Sequence, residues 1–300
     1  MIIVTYRSRA TIRPLLESLR GEARELDLAV IVADNASGDD TPAVVRAVAP
    51  EAETLDTGGN LGYAGAINAA CRLVDPGIPV LILNPDSVVE AGALRALLDR
   101  LADAGVGAVV PRLLDGAGRT SPSLRREPSI LRALGDALVG SRMRRRPGAL
   151  SETVWTPGDY ERTHPVDWAT GAAVLLSPGA RRRVGEWDER FFLYSEETDY
   201  LRRVRDAGYR VLFEPSATVR HAAGGSGSSA ELDALLAVNR IRYVRKHRSR
   251  PYAAAFRAVV VLSELLRMPL ERHALALRYV VREARWTALP GPQRGPGPVT

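Results

Sequence analysis

The first twenty residues, MIIVTYRSRATIRPLLESLR (1–20), place a short apolar run in front of a helical stretch. Residues 2–6 are predicted to form a buried strand, and a helix is predicted from about 10 to 20. This alternation of strand and helix continues through the first third of the chain. Because parallel strands need a long crossover, usually a helix, the order predicts right-handed βαβ units in a mostly parallel α/β sheet.

Seven further elements continue the pattern before residue 113. The predicted strands are 28–33, 53–56, 79–84 and 106–110, and the predicted helices are about 40–48, 62–73 and 91–104. Residues 113–163 are irregular and rich in Arg, Pro and Gly, and we expect them to be partly disordered or to face an acceptor. A second ordered block is predicted at 166–221, with a strand at 172–176, an aromatic acidic segment at 187–200, a helix through 205, and strands near 211–213 and 218–220.

A glycine- and serine-rich stretch at 224–229 indicates a flexible hinge, followed by helices at about 230–247, 252–267 and 269–286. The predicted organisation is an α/β domain over 1–225 and a C-terminal helical extension over 226–300, with a disordered tail from about 288. The first domain is expected to have two halves, about 1–112 and about 113–225.

The composition is that of a globular protein, with 46% hydrophobic and 25% charged residues among 300. We expect a cytoplasmic protein, because no uncharged apolar run approaches the roughly 18 residues of a membrane span and no signal peptide precedes the first strand. A single cysteine, Cys71, excludes an intrachain disulfide framework. The net charge of +6 is weak evidence for nucleic acid binding, and the arginine clusters at 142–146 and 240–250 could equally contact anionic lipid.

Polar side chains follow three of the predicted strands. Thr5-Tyr6, Asp34-Asn35 and Asn84-Pro85-Asp86 each stand where a strand ends. Since ligands bind at the carboxyl ends of strands in such sheets, these residues predict one binding edge. Each alone could be an ordinary helix cap, as is the more common role for an aspartate such as Asp34.

Three other segments could carry chemistry, and each has a structural alternative. The glycine-rich run at 58–65 suits close approach to a phosphate or sugar, although a plain turn explains it equally well. Asp86 could bind Mg²⁺ or Mn²⁺ with His221 as a second ligand, or could cap a helix. The acidic residues after the aromatic run at 191–194 could include a general base with a raised pKa, or could form the negative first turn of a helix.

These segments, taken in order, carry a family resemblance over about residues 1–250. They are VTYRS (4–8), DNAS (34–37), NLGYA (60–64) with Asn68, LNPDS (83–87), TGA (170–172), GEWDE (185–189) continuing through FFLYSEETD (191–199), and finally Ala207-Gly208 and His221. Together they resemble the inverting family 2 glycosyltransferases with a GT-A fold, and among these the rhamnosyltransferase-like bacterial members. The resemblance implies an α/β GT-A fold with a mostly parallel central sheet, flanking helices and a C-terminal helical extension. It also implies that residues 1–225 are the catalytic domain, with a nucleotide-binding half over about 1–112 and an acceptor and catalytic half over about 113–225.

The resemblance also implies roles for individual residues. It assigns the catalytic base to Glu197, with Glu196 or Asp199 as substitutes, and metal binding to Asp86 and His221. It assigns donor binding to Thr5, Tyr6, Asp34, Asn60, Gly62, Asn68, Asn84, Asp86, Thr170 and Gly171. Asn84 stands where the family's Asp-x-Asp metal motif has its first aspartate, which removes one anionic ligand. Glu197 stands where many relatives have an aspartate.

The implied reaction is a direct displacement that moves a sugar from a nucleotide donor to an acceptor hydroxyl, with a divalent cation, Mg²⁺ or Mn²⁺, as cofactor. The donor is expected to be dTDP-rhamnose, with UDP sugars next, and the acceptor a cell-envelope glycan or lipid-linked glycan. Nucleic acid is not an expected partner, whereas contact with the inner membrane face and self-association could both occur.

Two other functions stay open from the sequence. One is a catalytically inactive sugar-nucleotide-binding protein, given the substitutions at Asn84 and Glu197. The other is a Rossmann-type nucleotide-sugar oxidoreductase, which predicts a glycine fingerprint after the first strand; residues 5–9 contain no glycine.

Overall fold

The computed structural model describes residues 1–140, 147–221 and 229–294. The strands are β1 (Ile2–Thr5), β2 (Ile31–Asp34), β3 (Glu53–Asp56), β4 (Gly59–Asn60), β5 (Val80–Leu83), β6 (Ser87–Val89), β7 (Val106–Leu114), β8 (Leu124–Arg125), β9 (His164–Pro165), β10 (Trp168–Ala169), β11 (Ala173–Leu176), β12 (Arg210–His221) and β13 (Gln293–Arg294).

The α-helices are α1 (Ile12–Glu22), α2 (Thr41–Val48), α3 (Gly62–Cys71), α4 (Ala93–Leu101), α5 (Ile130–Val139), α6 (Pro178–Val184), α7 (Glu196–Asp206), α8 (Ala230–His247), α9 (Arg250–Arg267) and α10 (Glu271–Val280). Short 3₁₀ helices are Gly148–Leu150, Pro157–Tyr160 and Glu283–Ala288.

The central sheet has the strand order β3-β2-β1-β5-β11-β7-β12-β6, and β9 pairs with β12. Neighbours β3, β2, β1 and β5 run parallel, as do β7 and β12. The mixed sheet with mostly parallel strands and flanking helices is therefore confirmed. The strand order reverses between β1 and β5, which places the carboxyl ends of these two strands at the binding edge expected for such sheets.

Three strands of the central sheet depart from the predicted parallel order: β6 and β9, which both pair antiparallel with β12, and β11 in the middle of the sheet. β11 lies antiparallel between β5 and β7, with Ala173 opposite Leu83 and Leu175 opposite Val109. Its insertion brings the residues just before it, 170–172, beside the end of β5. A strand-and-helix alternation in sequence contains no information on this insertion, because it depends on long-range pairing.

The apolar run that opens the chain is explained by burial on both faces of the sheet. Ile2 and Val4 pack with Ile67 of α3 in one core, whereas Ile3 packs with Leu15 of α1 in the core on the other face. Successive side chains of a strand alternate between faces, so a strand covered on both sides needs apolar residues throughout.

A third core lies among the C-terminal helices. Helices α8, α9 and α10 pack together around buried residues such as Val238 and Phe256, and this core also includes Ala133 of α5 and Phe191. The extension is thus packed against the loop that precedes α7. Residues 113–163 were expected to be partly disordered or to face an acceptor. They contain β8, α5 and two 3₁₀ helices in the parts that the structure describes, and residues 141–146 of this range lie outside those parts.

Several predicted elements differ in extent. The strands expected near 211–213 and 218–220 are one strand, β12, whose pairing with β7 shifts register between Glu214 and Thr218. The last predicted helix ends at Val280 and is followed by a 3₁₀ helix. The hinge residues 224–228 and the arginine cluster at 142–146 lie outside the described residues.

The C-terminal segment is ordered where disorder was expected. Gln293 and Arg294 pair antiparallel with Asn60 and Gly59 of β4, so the tail adds a strand to the glycine-rich segment. Residues 295–300, also part of the predicted tail, lie outside the described residues. The predicted domain boundary at 225 stays a prediction.

Candidate active site

The ends of β1 and β2 bring three predicted donor-binding residues together. The Thr5 hydroxyl donates to Asp34 Oδ1 at 2.7 Å, and the Ser37 amide donates to Asp34 Oδ2 at 3.0 Å. Thr5 is fully buried and therefore supports the carboxylate. Tyr6 is 43% exposed, with the Arg7 guanidinium 5.2 Å from its ring centroid, and presents a flat aromatic surface at the edge of the sheet.

The glycine-rich segment is tied to the end of β2 by Asn35, which was predicted to lie at the binding edge but was not assigned a role in donor binding. The buried Asn35 side chain donates from Nδ2 to the Gly62 carbonyl at 3.0 Å and accepts from the Leu61 amide at 3.3 Å. Asn60 accepts from the Gly62 amide at 3.1 Å. Asn35 and Asn60 together fix the backbone that leads into α3.

Gly62 is required by both its conformation and its surroundings. Its φ is +77°, in the left-handed region, and a Cβ at this position would collide with the carbonyl oxygen of Phe192. The same carbonyl accepts a hydrogen bond from the Tyr63 amide at 2.8 Å. The start of α3 is thereby locked against residues 191–195, which we call the base loop because they precede α7.

Gly62→Ala is expected to lower the free energy of unfolding by more than about 1 kcal/mol, since left-handed strain and a backbone clash add together. Gly58→Ala is the matched control, because Gly58 has a φ of +70° but open space around it. Chemical denaturation of both variants separates the two effects. Equal losses in the two variants would contradict the proposed clash.

The predicted metal pair is brought together at the carboxyl end of β5. His221, at the end of β12, places Nε2 3.2 Å from Asp86 Oδ1 and 3.4 Å from the Asn84 side-chain nitrogen. No group of three or more His, Cys, Asp or Glu side chains suited to a metal occurs among the described residues. A carboxylate and an imidazole fit a divalent cation that takes its other oxygens from water and a substrate phosphate.

Glu196 and Glu197 open helix α7, and both are largely buried. Burial raises the pKa of both, and the Glu197 charge raises that of Glu196 further. Hydrogen bonds from the backbone amides of Glu197, Thr198 and Gly171, together with the charge of Arg125, act in the opposite direction on Glu197. Each glutamate has one buried carboxylate oxygen without a hydrogen-bond partner among the described residues. Such a group is suited to accept a proton.

The segment from 170 to 172 forms a wall between the glutamates and the end of β5. The Thr170 amide donates to the Ser123 carbonyl at 3.1 Å, and the Ala172 carbonyl accepts from the Asn84 amide at 2.9 Å. A Cβ on Gly171 would lie 3.6 Å from the Glu197 Cβ, so the glutamate stem contacts the backbone here. Thr170 and Gly171 are therefore beside the candidate base.

Tyr63 connects the acidic pair with the metal pair. Its hydroxyl donates to the Gly171 carbonyl at 3.1 Å. Burial raises the pKa of Tyr63, and the charges of Glu196, Glu197 and Asp86 raise it further. Gly171 lies beside the Glu197 stem and the Ala172 carbonyl accepts from the Asn84 amide, so the candidate base and the candidate metal pair adjoin one short backbone segment. Sequence reasoning missed Tyr63, although it lies inside the glycine-rich segment.

Asn68, predicted to bind the donor, uses its side chain to hold the neighbouring segment 187–189. Its side chain is buried, donates to the Trp187 carbonyl at 2.9 Å and accepts from the Trp187 amide at 2.8 Å. A further donated hydrogen bond of 3.0 Å reaches Glu189. These contacts join α3 to the segment that leads toward the base loop.

Asp199, predicted as a possible substitute for Glu197 as the base, is instead engaged in ion pairs. It is fully buried, with Lys246 Nζ and His247 Nε2 each 2.7 Å from Oδ1 and Arg203 Nε 2.9 Å from Oδ2. Burial alone would raise the pKa of Asp199, but hydrogen bonds from His247 and Lys246 and the Arg203 charge lower it below 3.8. The structure favours a structural role for this carboxylate.

Asp199→Asn is expected to lower the free energy of unfolding by about 3 kcal/mol near neutral pH, because it removes a fully buried carboxylate that pairs with both Arg203 and Lys246. Since the folded-state pKa is depressed, the contribution is present above pH 3.8 and is lost as the pH falls below it. Asp206→Asn, at an exposed ion pair on the same helix, is the control. Equal and pH-independent losses in the two variants would contradict this role.

Among the described helices, none combines the length and the apolar composition needed to cross a bilayer.

Comparisons with known proteins identify the family of the chain. The profile of glycosyl transferase family 2 matches residues 1–151. The chain is 34% identical over 232 residues, 74% of its length and 75% of the relative's, to the N-acetylglucosaminyl-diphospho-decaprenol L-rhamnosyltransferase of Mycobacterium tuberculosis. It is 27% identical over 209 residues, 68% of its length and 61% of the relative's, to a low-salt glycan biosynthesis hexosyltransferase of Haloferax volcanii.

Among solved structures, a mannosyltransferase from Pyrobaculum calidifontis in complex with GDP-Man and Mn²⁺ superposes with a TM-score of 0.56 at 20% identity, covering 93% of this chain and 74% of that one. At this identity the likeness concerns the fold, which is GT-A. The family profile spans half of the chain, and the mycobacterial relative extends the similarity to about three quarters of it. The chain therefore belongs to glycosyl transferase family 2 and is a glycosyltransferase.

Proposed function

We propose that this enzyme transfers L-rhamnose from dTDP-rhamnose to a hydroxyl group of a lipid-linked glycan, with inversion at the anomeric carbon. The sugar and the acceptor class follow the mycobacterial relative, whose name specifies an L-rhamnosyl transfer to N-acetylglucosaminyl-diphospho-decaprenol. The dTDP carrier and the inversion follow the resemblance of the motifs.

The arrangement around Tyr63 carries the proposal. The Tyr63 hydroxyl donates to the Gly171 carbonyl, Gly171 lies beside the Glu197 side chain, and the next carbonyl, that of Ala172, accepts from the amide of Asn84, which precedes the Asp86–His221 pair. A cleft with a proton acceptor on one side and a site for a phosphate-bound cation on the other suits a donor sugar between them.

In the proposed reaction Glu197 accepts the proton of the acceptor hydroxyl while that oxygen attacks the anomeric carbon. The new carbon–oxygen bond forms as the bond to the nucleoside diphosphate breaks, and the electron pair leaves with the phosphate oxygen. Burial supports this role because a raised carboxylate pKa lies closer to neutral pH, where a general base is most effective. One displacement inverts the configuration, so a covalent intermediate is not required.

A divalent cation is the proposed cofactor, and Asp86 and His221 would hold it. When bound, such an ion neutralises the charge on the leaving nucleoside diphosphate. Mn²⁺ in the mannosyltransferase of the same fold supports a divalent cation here. Asn84, in place of a first aspartate, lies beside His221 and leaves Asp86 as the anionic ligand of this set.

The two alternative functions are less well supported. A Rossmann-type oxidoreductase is wrong, because the chain belongs to a glycosyltransferase family. An inactive binding protein is disfavoured by the two buried glutamates at the start of α7, whose raised pKa values come from burial that a binding function does not need.

The test is a transfer assay with a synthetic N-acetylglucosaminyl-diphospho-lipid acceptor. dTDP-rhamnose, UDP-N-acetylglucosamine and GDP-mannose are compared with Mn²⁺, with Mg²⁺ and with EDTA, and released nucleotide and product mass are measured. We expect transfer from dTDP-rhamnose, dependent on a divalent cation. NMR of the product should show an anomeric configuration opposite to that of the donor. Retained configuration, or a different preferred donor, would contradict the proposal.

A further inference from the structure

The base loop ends in an unusual backbone conformation directly before helix α7. Tyr194 and Ser195 have φ values of +70° and +71°, and neither is glycine. Residues with side chains rarely occupy this left-handed region, and two in succession persist only where the surroundings hold them. The next two residues are Glu196 and Glu197, so the direction of these carboxylates depends on the loop.

A single buried side chain holds this conformation from the side of α8. Asn239, with no exposed surface, donates from Nδ2 to the Leu193 carbonyl at 2.9 Å and to the Tyr194 carbonyl at 3.0 Å. A carboxamide has two N–H donors, and both are used here. Its Oδ1 accepts from Arg242 Nη1 at 2.8 Å, which fixes the orientation of the amide.

The other side of the base loop is also fixed. The Phe192 carbonyl accepts from the Tyr63 amide at 2.8 Å, and Phe191 is buried in the core of the C-terminal helices. Among the residues that the structure describes, Asn239 is the side chain that bonds to the two carbonyls immediately before the Ser195 N-cap of α7, and within the same residues the Ser195 side chain makes no capping hydrogen bond.

We propose that Asn239 is a positioning residue that holds the left-handed base loop and thereby aims Glu197 at the acceptor hydroxyl. This inference rests on the proposed function of Glu197. It assigns the C-terminal helical extension a part in the reaction, because Asn239 belongs to α8. Asparagine suits this position since its two N–H groups bridge consecutive carbonyls, which an aspartate, leucine or alanine cannot do.

The decisive variant is Asn239→Asp, which keeps the shape of the side chain and removes both donors. We expect kcat to fall by about 10- to 100-fold, because small displacements of a reacting group are costly, while KM for the donor stays within about twofold. In Asn239→Leu, which removes both donors without adding a charge, the acidic limb of the kcat profile should move to lower pH, since a displaced Glu197 loses part of the burial that raises its pKa.

Tyr243→Phe is the matched control for general damage to α8. Tyr243 is buried on the same helix and its hydroxyl bonds to Glu127 rather than to the base loop. This variant should lose stability without a shift of the acidic limb. If Asn239→Asp keeps wild-type kcat, or if its kcat falls only in step with thermal stability and the limb does not move in Asn239→Leu, the positioning role is overturned.

Amide hydrogen exchange provides a measurement that does not depend on the reaction. In Asn239→Asp, peptides covering residues 191–200 should exchange faster than in the wild type, and they should be unchanged in Tyr243→Phe. Unchanged exchange in Asn239→Asp overturns the contact itself. Should Glu197→Gln prove fully active, the assigned base fails while faster exchange would still support the hold of Asn239 on the loop, so the two failures are distinguishable.

Discussion

Glu197→Gln is expected to lower kcat by about 1000-fold while donor binding stays nearly unchanged. Glutamine keeps the size of the side chain but cannot accept the proton of the acceptor hydroxyl, and general bases typically contribute about 10²- to 10⁴-fold. The variant should be at least as stable as the wild type, because it removes a buried carboxylate with an unpaired oxygen. Initial rates at saturating donor and the melting temperature test both expectations.

Glu196→Gln is the matched control, since it makes the same change at the neighbouring, more deeply buried glutamate. We expect a much smaller loss of kcat there, because Glu197 contacts Gly171 at the wall of the cleft. In the wild type, kcat should fall as the pH drops through the pKa of Glu197, and burial places that limb above 4.5. A large loss in Glu196→Gln with a small loss in Glu197→Gln would reverse the assignment.

Asp86→Asn is expected to weaken Mn²⁺ binding in the presence of dTDP by about 100-fold or more. Loss of even an outer-shell partner costs about 10- to 100-fold in metal affinity, and Asp86 supplies the carboxylate of the proposed ligand pair. Electron paramagnetic resonance of free Mn²⁺, titrated with protein and dTDP, measures this directly and does not require turnover.

Glu90→Gln controls for the loss of one negative charge near this edge of the sheet. Glu90 follows β6 and pairs with Arg220 of β12, next to His221 but outside the proposed ligand pair. We expect its Mn²⁺ affinity to match that of the wild type. Equal affinities in Asp86→Asn and the wild type would remove Asp86 from the metal site.

Local patterns in the sequence were sufficient for the sheet and for the edge at which the site lies. The opening strand has apolar residues on both faces, and the polar residues Thr5, Asp34 and Asn84 stand at strand ends that parallel pairing must bring to one edge. The pairing of Asp86 with His221 was also predicted, although it spans most of the catalytic region.

Features that depend on long-range contacts were not predictable in the same way. Asp199 and Glu197 look alike in sequence, yet only the packing of α8 against α7 gives Asp199 its partners Lys246 and His247. In the sequence, Asn239 is a polar residue within an apolar stretch of α8, and this interruption is a signal that could have identified it. The strand formed by the C-terminal tail pairs with a distant two-residue segment, and nothing local encodes such a pairing.

The contact between the glycine-rich segment and the base loop has a consequence for redesign of this enzyme. The glycine-rich segment touches the loop through Gly62 and Tyr63, and the loop leads directly into Glu197. Laboratory evolution toward a new nucleotide sugar would naturally begin at the glycine-rich segment. Mutations there will tend to alter turnover together with substrate choice, so a productive library should vary both sides of this contact at once.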